Sequence, residues 1–218
     1  MLFRSFLYKH YTDPIRAKQA YDAGVRLFRG TRYDQAILNF DRAIDLQPEF
    51  ADAYLMRARS NVAIYKAAAA IPDFNKVAAM RPKDAIPPME RAFAYLDQKQ
   101  WDRALDDATK AITLDPKLAR AYNARATAYR AKQELQKALD DFNKAVELDQ
   151  NLDNYFQRAS TLQLLNRHKD AIADFDQAVA LAPDQPHTYF ARAQSKVATG
   201  DAKGAREDIR VGRRIDGW

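Results

Sequence analysis

Small and large apolar residues return along this chain at a fixed interval. Residues Arg103–Tyr122 read RALDDATKAITLDPKLARAY, and the same arrangement recurs over 34–54, 137–156 and 170–190. Each copy predicts an alanine-rich amphipathic helix, a stop near an acidic residue and proline, and an aromatic start to another helix. One alanine marks the register: Ala36, Ala70, Ala104, Ala138, Ala171 and Ala205, at steps of 34, 34, 34, 33 and 34 residues. Such a period predicts a one-dimensional stack in which each unit packs only on its neighbours.

Two further series keep the same register. Gly24, Ala58, Ala92, Ala126, Ala159 and Ala193 lie twelve residues before those alanines; Phe40, Phe74, Phe142, Phe175 and Ile209 lie four after, with Ala108 the exception. Ala43, Ala111, Ala145 and Ala178 lie seven after, with Val77 and Gly212 as variants. Small and large residues so spaced let two antiparallel helices approach closely and interlock. This pattern closely resembles the tetratricopeptide repeat, over residues 17–218 as six units: 17–50, 51–84, 85–118, 119–151, 152–185 and 186–218. The resemblance implies an all-α, right-handed superhelical solenoid of antiparallel helix pairs. Residues 1–16 fall outside it, and Phe3, Phe6, Leu7 and Tyr11 at helical spacing predict a short extra helix there.

Prolines and glycine punctuate the units. The first helix is expected to open at Pro14 and run to about Arg29 with Gly30 as its stop; the second runs from about Tyr33 to Leu46, ahead of Pro48. Pro82, Pro116 and Pro183 repeat the device, and Gln150 replaces it in the fourth unit. Pro72 predicts either a kinked helix or one that begins only at about Ile71, after a frayed KAAAA turn. Pro87 and Pro88 open the next helix, with Pro88 where other units place Tyr54, Tyr122, Tyr155 or Tyr189. Trp218 either folds over Ile215 or serves a dimer contact, so the oligomeric expectation is a monomer or weak homodimer.

Composition narrows the function. The absence of cysteine excludes disulfides, thiolate metal sites and cysteine nucleophiles. No run reaches the ~20 apolar residues of a membrane span. A cytoplasmic protein is the default, exported only if a targeting segment has been removed. The net charge of +6 is scattered over residues 1–16, 51–84 and 186–218 rather than drawn into one stripe. That disfavours nucleic acid as partner and leaves an RNA-binding helical repeat, using the basic ends, as the alternative reading.

Candidate chemistry is sparse. Arg57, Arg91, Arg125, Arg158 and Arg192 each precede a small residue, and Asp73, Asp107, Asp141, Asp174 and Asp208 follow sixteen residues later. The first unit has Ala23 and Asn39 instead and so loses both partners together. The joint loss predicts structural Arg–Asp pairs between the two helices of a unit. His10, His168 and His187 are far apart in the repeat and show no metal-binding spacing. Adjacent carboxylates such as Asp106/Asp107 and Asp140/Asp141 point about 100° apart on a helix and do not converge as acid and base. With no phosphate loop or nucleophile elbow either, the expectation is a non-enzymatic protein with no catalytic residues, no metal and no cofactor.

The resemblance places the first helix of each unit on an inner groove. Carried over by position, it implies a peptide-binding surface of Tyr21, Phe28, Arg59, Met89, Phe93, Arg120, Asn123, Arg130, Phe156 and Phe190. Aromatic anchors beside arginines suit a protein or peptide partner with acidic and apolar residues. Tyr21, Val25 and Met56 stand where one subgroup carries the Lys and Asn residues that clamp chaperone tails, which disfavours that role.

Overall fold

The computed structural model describes residues 13–217. The short helix expected within 1–16, apart from its last residues, and Trp218 lie outside the described residues. Among the described residues twelve α-helices follow one another. By contact the described residues divide into two compact units, one ending at Leu114 and the other beginning at Asp115.

The first unit holds α1 (Pro14–Arg29), α2 (Tyr33–Leu46), α3 (Ala51–Ala63), α4 (Ala67–Met80), α5 (Ile86–Asp97) and α6 (Trp101–Leu114). They pair as three hairpins, α1 with α2, α3 with α4 and α5 with α6, and each hairpin packs on the next. The second unit repeats this with α7 (Ala119–Ala131), α8 (Leu135–Leu148), α9 (Leu152–Leu164), α10 (His168–Leu181), α11 (Pro186–Ala198) and α12 (Ala202–Ile215).

Hairpins form because small residues on the first helix make room for a ring on the second. Phe40, Phe74, Phe142 and Phe175 are fully buried, as are Ala58, Ala126 and Ala159 of the small series. Burying one such ring contributes about 1.5–3 kcal/mol. Around Phe74, for example, the core gathers Leu55, Ala58, Ala70 and Val77. The α5–α6 hairpin has Ala108 in the ring position, and in it Met89, Pro87 and Pro88 are fully buried.

Local capping sets the helix ends. The Asp13 carboxylate accepts from the Arg16 N–H at 3.0 Å, with Pro14 in the first turn; Asn151 and Asp201 cap α9 and α12 in the same way. The first helix of each pair closes with two backbone bonds. In α1 the Thr31 N–H donates to Phe28 and the Arg32 N–H to Leu27, the pattern that puts the first of those residues in the left-handed region. Helix α1 ends at Arg29 with Gly30 as its cap, as the sequence predicts. Gly30 has φ −84° and ends the helix, while the left-handed residue is Thr31, with φ 58°. Tyr65, Lys99, Gln133, Asn166 and Gly200 take the same place in the other hairpins.

Pro72 resolves in favour of the continuous helix. α4 runs from Ala67 to Met80 with Pro72 inside it, so the start at Ile71 after a frayed turn is overturned. The proline lies near the N-terminus of α4, where few carbonyls precede it, and it forgoes one ladder bond without ending the helix.

Candidate functional site

Electrostatics first ties the two helices of a pair together. The structure places Arg57, Arg91, Arg125, Arg158 and Arg192 against Asp73, Asp107, Asp141, Asp174 and Asp208. In each pair Nε and Nη2 donate to the two carboxylate oxygens at 2.5–2.9 Å. The five carboxylates are buried. Hydrogen bonding to the aspartate raises each arginine above its ordinary value against the opposing effect of burial. Tyr54, Tyr122, Tyr155 and Tyr189 lie 5.4–5.8 Å beneath four of these guanidinium groups. Pro88 takes the tyrosine's place before Arg91. These arginines face partners inside the fold.

The ten groove positions divide by what they touch. In the first unit Tyr21 is half-buried, packed 5.9 Å from Phe40 and 4.9 Å from Phe50, and burial raises its phenol above the ordinary range. Phe28 meets Tyr33 edge-on at 5.3 Å, and Phe93 is half-buried. Met89, at 1% exposure, belongs to the core and presents nothing to a ligand. The Arg59 side chain reaches across to the next hairpin, where Nη2 and Nε donate to Glu90 at 2.6 and 2.9 Å. Its charge is already met.

The second unit differs. Arg120 is exposed. Asn123 is buried and donates to Asp153 and Asn154 of the following hairpin at 3.1 and 3.0 Å, so it joins hairpins rather than offering a free amide. Phe190 is half-buried, packed so closely over Gly212 that a β-carbon there would lie 2.7 Å from the ring. Phe156 and Arg130 are brought together. They line one cavity of about 460 Å³ with Gln157, Ser160, Gln163, Leu164, His168 and Gln194. Phe156 packs against Phe175 at 5.6 Å and His187 at 5.0 Å, both edge-on. Leu164 is 55% exposed at the rim.

Arg130 is the least neutralised of the partly buried arginines. Nη2 donates to Gln157 Oε1 at 2.7 Å, and Nη1 makes longer bonds to the Gln157 carbonyl and Thr161 Oγ1. The guanidinium also lies 5.3 Å from the Phe142 ring. Burial pushes it below its ordinary value, with Asp153 opposing. It remains a cation at neutral pH. Among the described residues its hydrogen-bond partners are neutral.

Position alone did not single out Gln157, His168, Leu164 or Glu90 as parts of a site. Glu90 and Gln157 each stand two residues before the small series, at Ala92 and Ala159, and that register was the one available signal. Among the described residues no cluster of carboxylates and histidines could hold a metal. None of the described helices is long and apolar enough to cross a membrane.

Paired helices in 34-residue register, interlocked by small and large residues, define a helical-hairpin repeat protein. Family models described as tetratricopeptide repeat match residues 21–85, 119–152 and 152–185, and the chain belongs to that family of protein-interaction scaffolds. Among solved structures it is similar to the Cut9–Hcn1 hetero-tetramer of the APC/C, at 15% identity and TM-score 0.83 over 97% of this chain. The chain spans 42% of the length of the protein it matches there. It is also similar to TTC0263, a thermophilic tetratricopeptide-repeat protein of Thermus thermophilus, at 21% identity and TM-score 0.68, covering 84% of this chain and 98% of that one. A third is YrrB, a repeat protein with an unusual peptide-binding site, at 18% identity and TM-score 0.62, covering 81% and 91%. No curated protein matches in sequence.

Proposed function

We propose that the chain is a non-enzymatic scaffold that holds a peptide segment of a protein partner, with the Phe156–Arg130 cavity of the second unit as its anchor point. The observation that carries this is the cavity itself. It sets an aromatic floor and an exposed leucine beside a cation that lacks a carboxylate, and so suits a segment with apolar and acidic residues. Arg120, exposed on α7, adds positive charge to the same unit. The description of YrrB as a peptide-binding repeat protein is in keeping with this reading.

The test is affinity capture from source-cell lysate with and without nuclease, comparing wild type with Phe156→Ala. Loss of a protein from the variant alone, with helical circular dichroism unchanged, supports the cavity as the anchor. Identical capture by both rejects it. Capture that disappears on nuclease treatment favours the nucleic-acid alternative.

A further inference from the structure

Glu90 and Gln157 occupy the same place in their respective repeats, two residues before Ala92 and Ala159. Each receives an arginine from the first helix of the preceding hairpin. In the first unit Glu90 answers Arg59 with a carboxylate, through contacts of 2.6, 2.9 and 3.1 Å. In the second unit Gln157 answers Arg130 with an amide oxygen at 2.7 Å. One junction is electrically complete and the other is not.

We infer that Gln157 is a neutral placeholder on Arg130, and that a carboxylate side chain of the partner's acidic segment displaces it to complete the pair. This inference rests on the proposed peptide-binding reading of the cavity. A carboxylate in place of the amide oxygen adds ion-pair attraction and a bidentate fork to a bond already assisted by the guanidinium charge, so the exchange favours the ligand. Partial burial strengthens that preference by lowering the local dielectric. Asp153 is the nearest acidic influence on Arg130, but its oxygens accept from Asn123 at 3.1 Å and from Gln157 Nε2 at 3.3 Å. The amide of Gln157 thus stands between cation and internal carboxylate and holds both in place until a ligand arrives. Phe156 and Leu164 on the same cavity wall select an apolar neighbour for the acidic residue.

The experiment titrates the full chain with acetyl-Phe-Glu-amide and with acetyl-Phe-Gln-amide at millimolar concentrations, following the Arg130 and Gln157 side-chain N–H resonances. The acid is expected to bind about tenfold more tightly than the amide analogue, as charge-assisted hydrogen bonding implies. Gln157→Glu, which supplies Arg130 with an internal carboxylate, should remove that preference. Gln157→Ala should tighten acid binding by a fewfold. Equal binding of the two dipeptides, with both lost in Phe156→Ala, overturns the placeholder while leaving the anchor reading intact. Failure of both dipeptides to bind overturns both. Inorganic phosphate competing as well as the acid shows a general oxyanion site and overturns the carboxylate assignment. An unchanged acid preference in Gln157→Glu, with native helicity, overturns the inference outright.

Discussion

The ring of Phe40 fills the space that a β-carbon on Gly24 would need, with ring atoms 2.5–2.9 Å from that position. Phe40 is fully buried. Gly24→Ala therefore sets a helix-propensity gain of about 1 kcal/mol against an overpacking cost of about 1–3 kcal/mol. The expected outcome is a lower melting temperature by circular dichroism, partly restored when Phe40→Leu is added. A melting temperature at or above wild type would show that the ring can move after all.

Arg91 and Asp107 form one of the well-enclosed interhelix ion pairs, with side chains 15% and 10% exposed. Arg91→Ala leaves a buried carboxylate unpaired and should cost about 3 kcal/mol. Adding Asp107→Asn should recover much of that loss, because the charge and its partner then vanish together. The α1–α2 hairpin already does this with Ala23 and Asn39, whose amide donates to the Gln35 carbonyl instead. Urea denaturation of the single and double variants measures the coupling; strictly additive losses would refute it.

Asp208 carries a pH signature. Burial pulls its carboxyl upward, but Arg192 and Lys196 outweigh that and hold it below the usual carboxylate range. A depressed folded-state value means the stabilisation is complete above the unfolded value, near about 4. It is lost as pH falls through the folded value. Asp208→Asn should therefore melt lower than wild type at neutral pH and converge with it as the solution becomes strongly acidic. A constant gap across the whole range would exclude Asp208 from the acid limb.

Tyr65 holds a left-handed backbone without glycine's freedom to adopt it. It sits at φ 61° with 95% of its surface exposed. A left-handed conformation costs a non-glycine residue about 1–2 kcal/mol, and glycine returns part of that as unfolded-chain entropy. Tyr65→Gly should raise stability by roughly 0.5–1 kcal/mol. Tyr65→Val should lower it, since β-branching worsens the clash. Melting curves of both variants give the sign.

The hairpins were legible because helix packing demands particular sizes at particular intervals, and six copies in register averaged out exceptions such as Ala108. The Arg57–Asp73 relationship could be read because Ala23 and Asn39 depart together in the first unit. The turns were less legible. Among the hairpin turns glycine marks the left-handed position only at Gly200 and asparagine at Asn166, so Thr31, Tyr65, Lys99 and Gln133 gave no sign of it. Met89 misled because an apolar residue on an inward face reads alike whether it meets a ligand or the core. Gln157 was illegible for another reason: its position carries Asp22, Met56, Glu90, Ala124, Gln157 and Ala191 in turn, and no single chemistry is repeated there.

The arginine forks have a third prong. Beyond its own aspartate, Arg57 donates through Nη1 to Asp41 at 2.6 Å, and Arg192 to Asp176 at 2.7 Å, each on the second helix of the preceding hairpin. Arg91 reaches Asn75 and Arg158 reaches Asn143 in the same manner. One side chain thus rivets three helices, and no hairpin so joined can detach without loosening the one before it. Mechanically, each compact unit behaves as a riveted truss rather than a string of beads. Fluctuations would stay shallow until a rivet fails, and amide exchange should release neighbouring hairpins together.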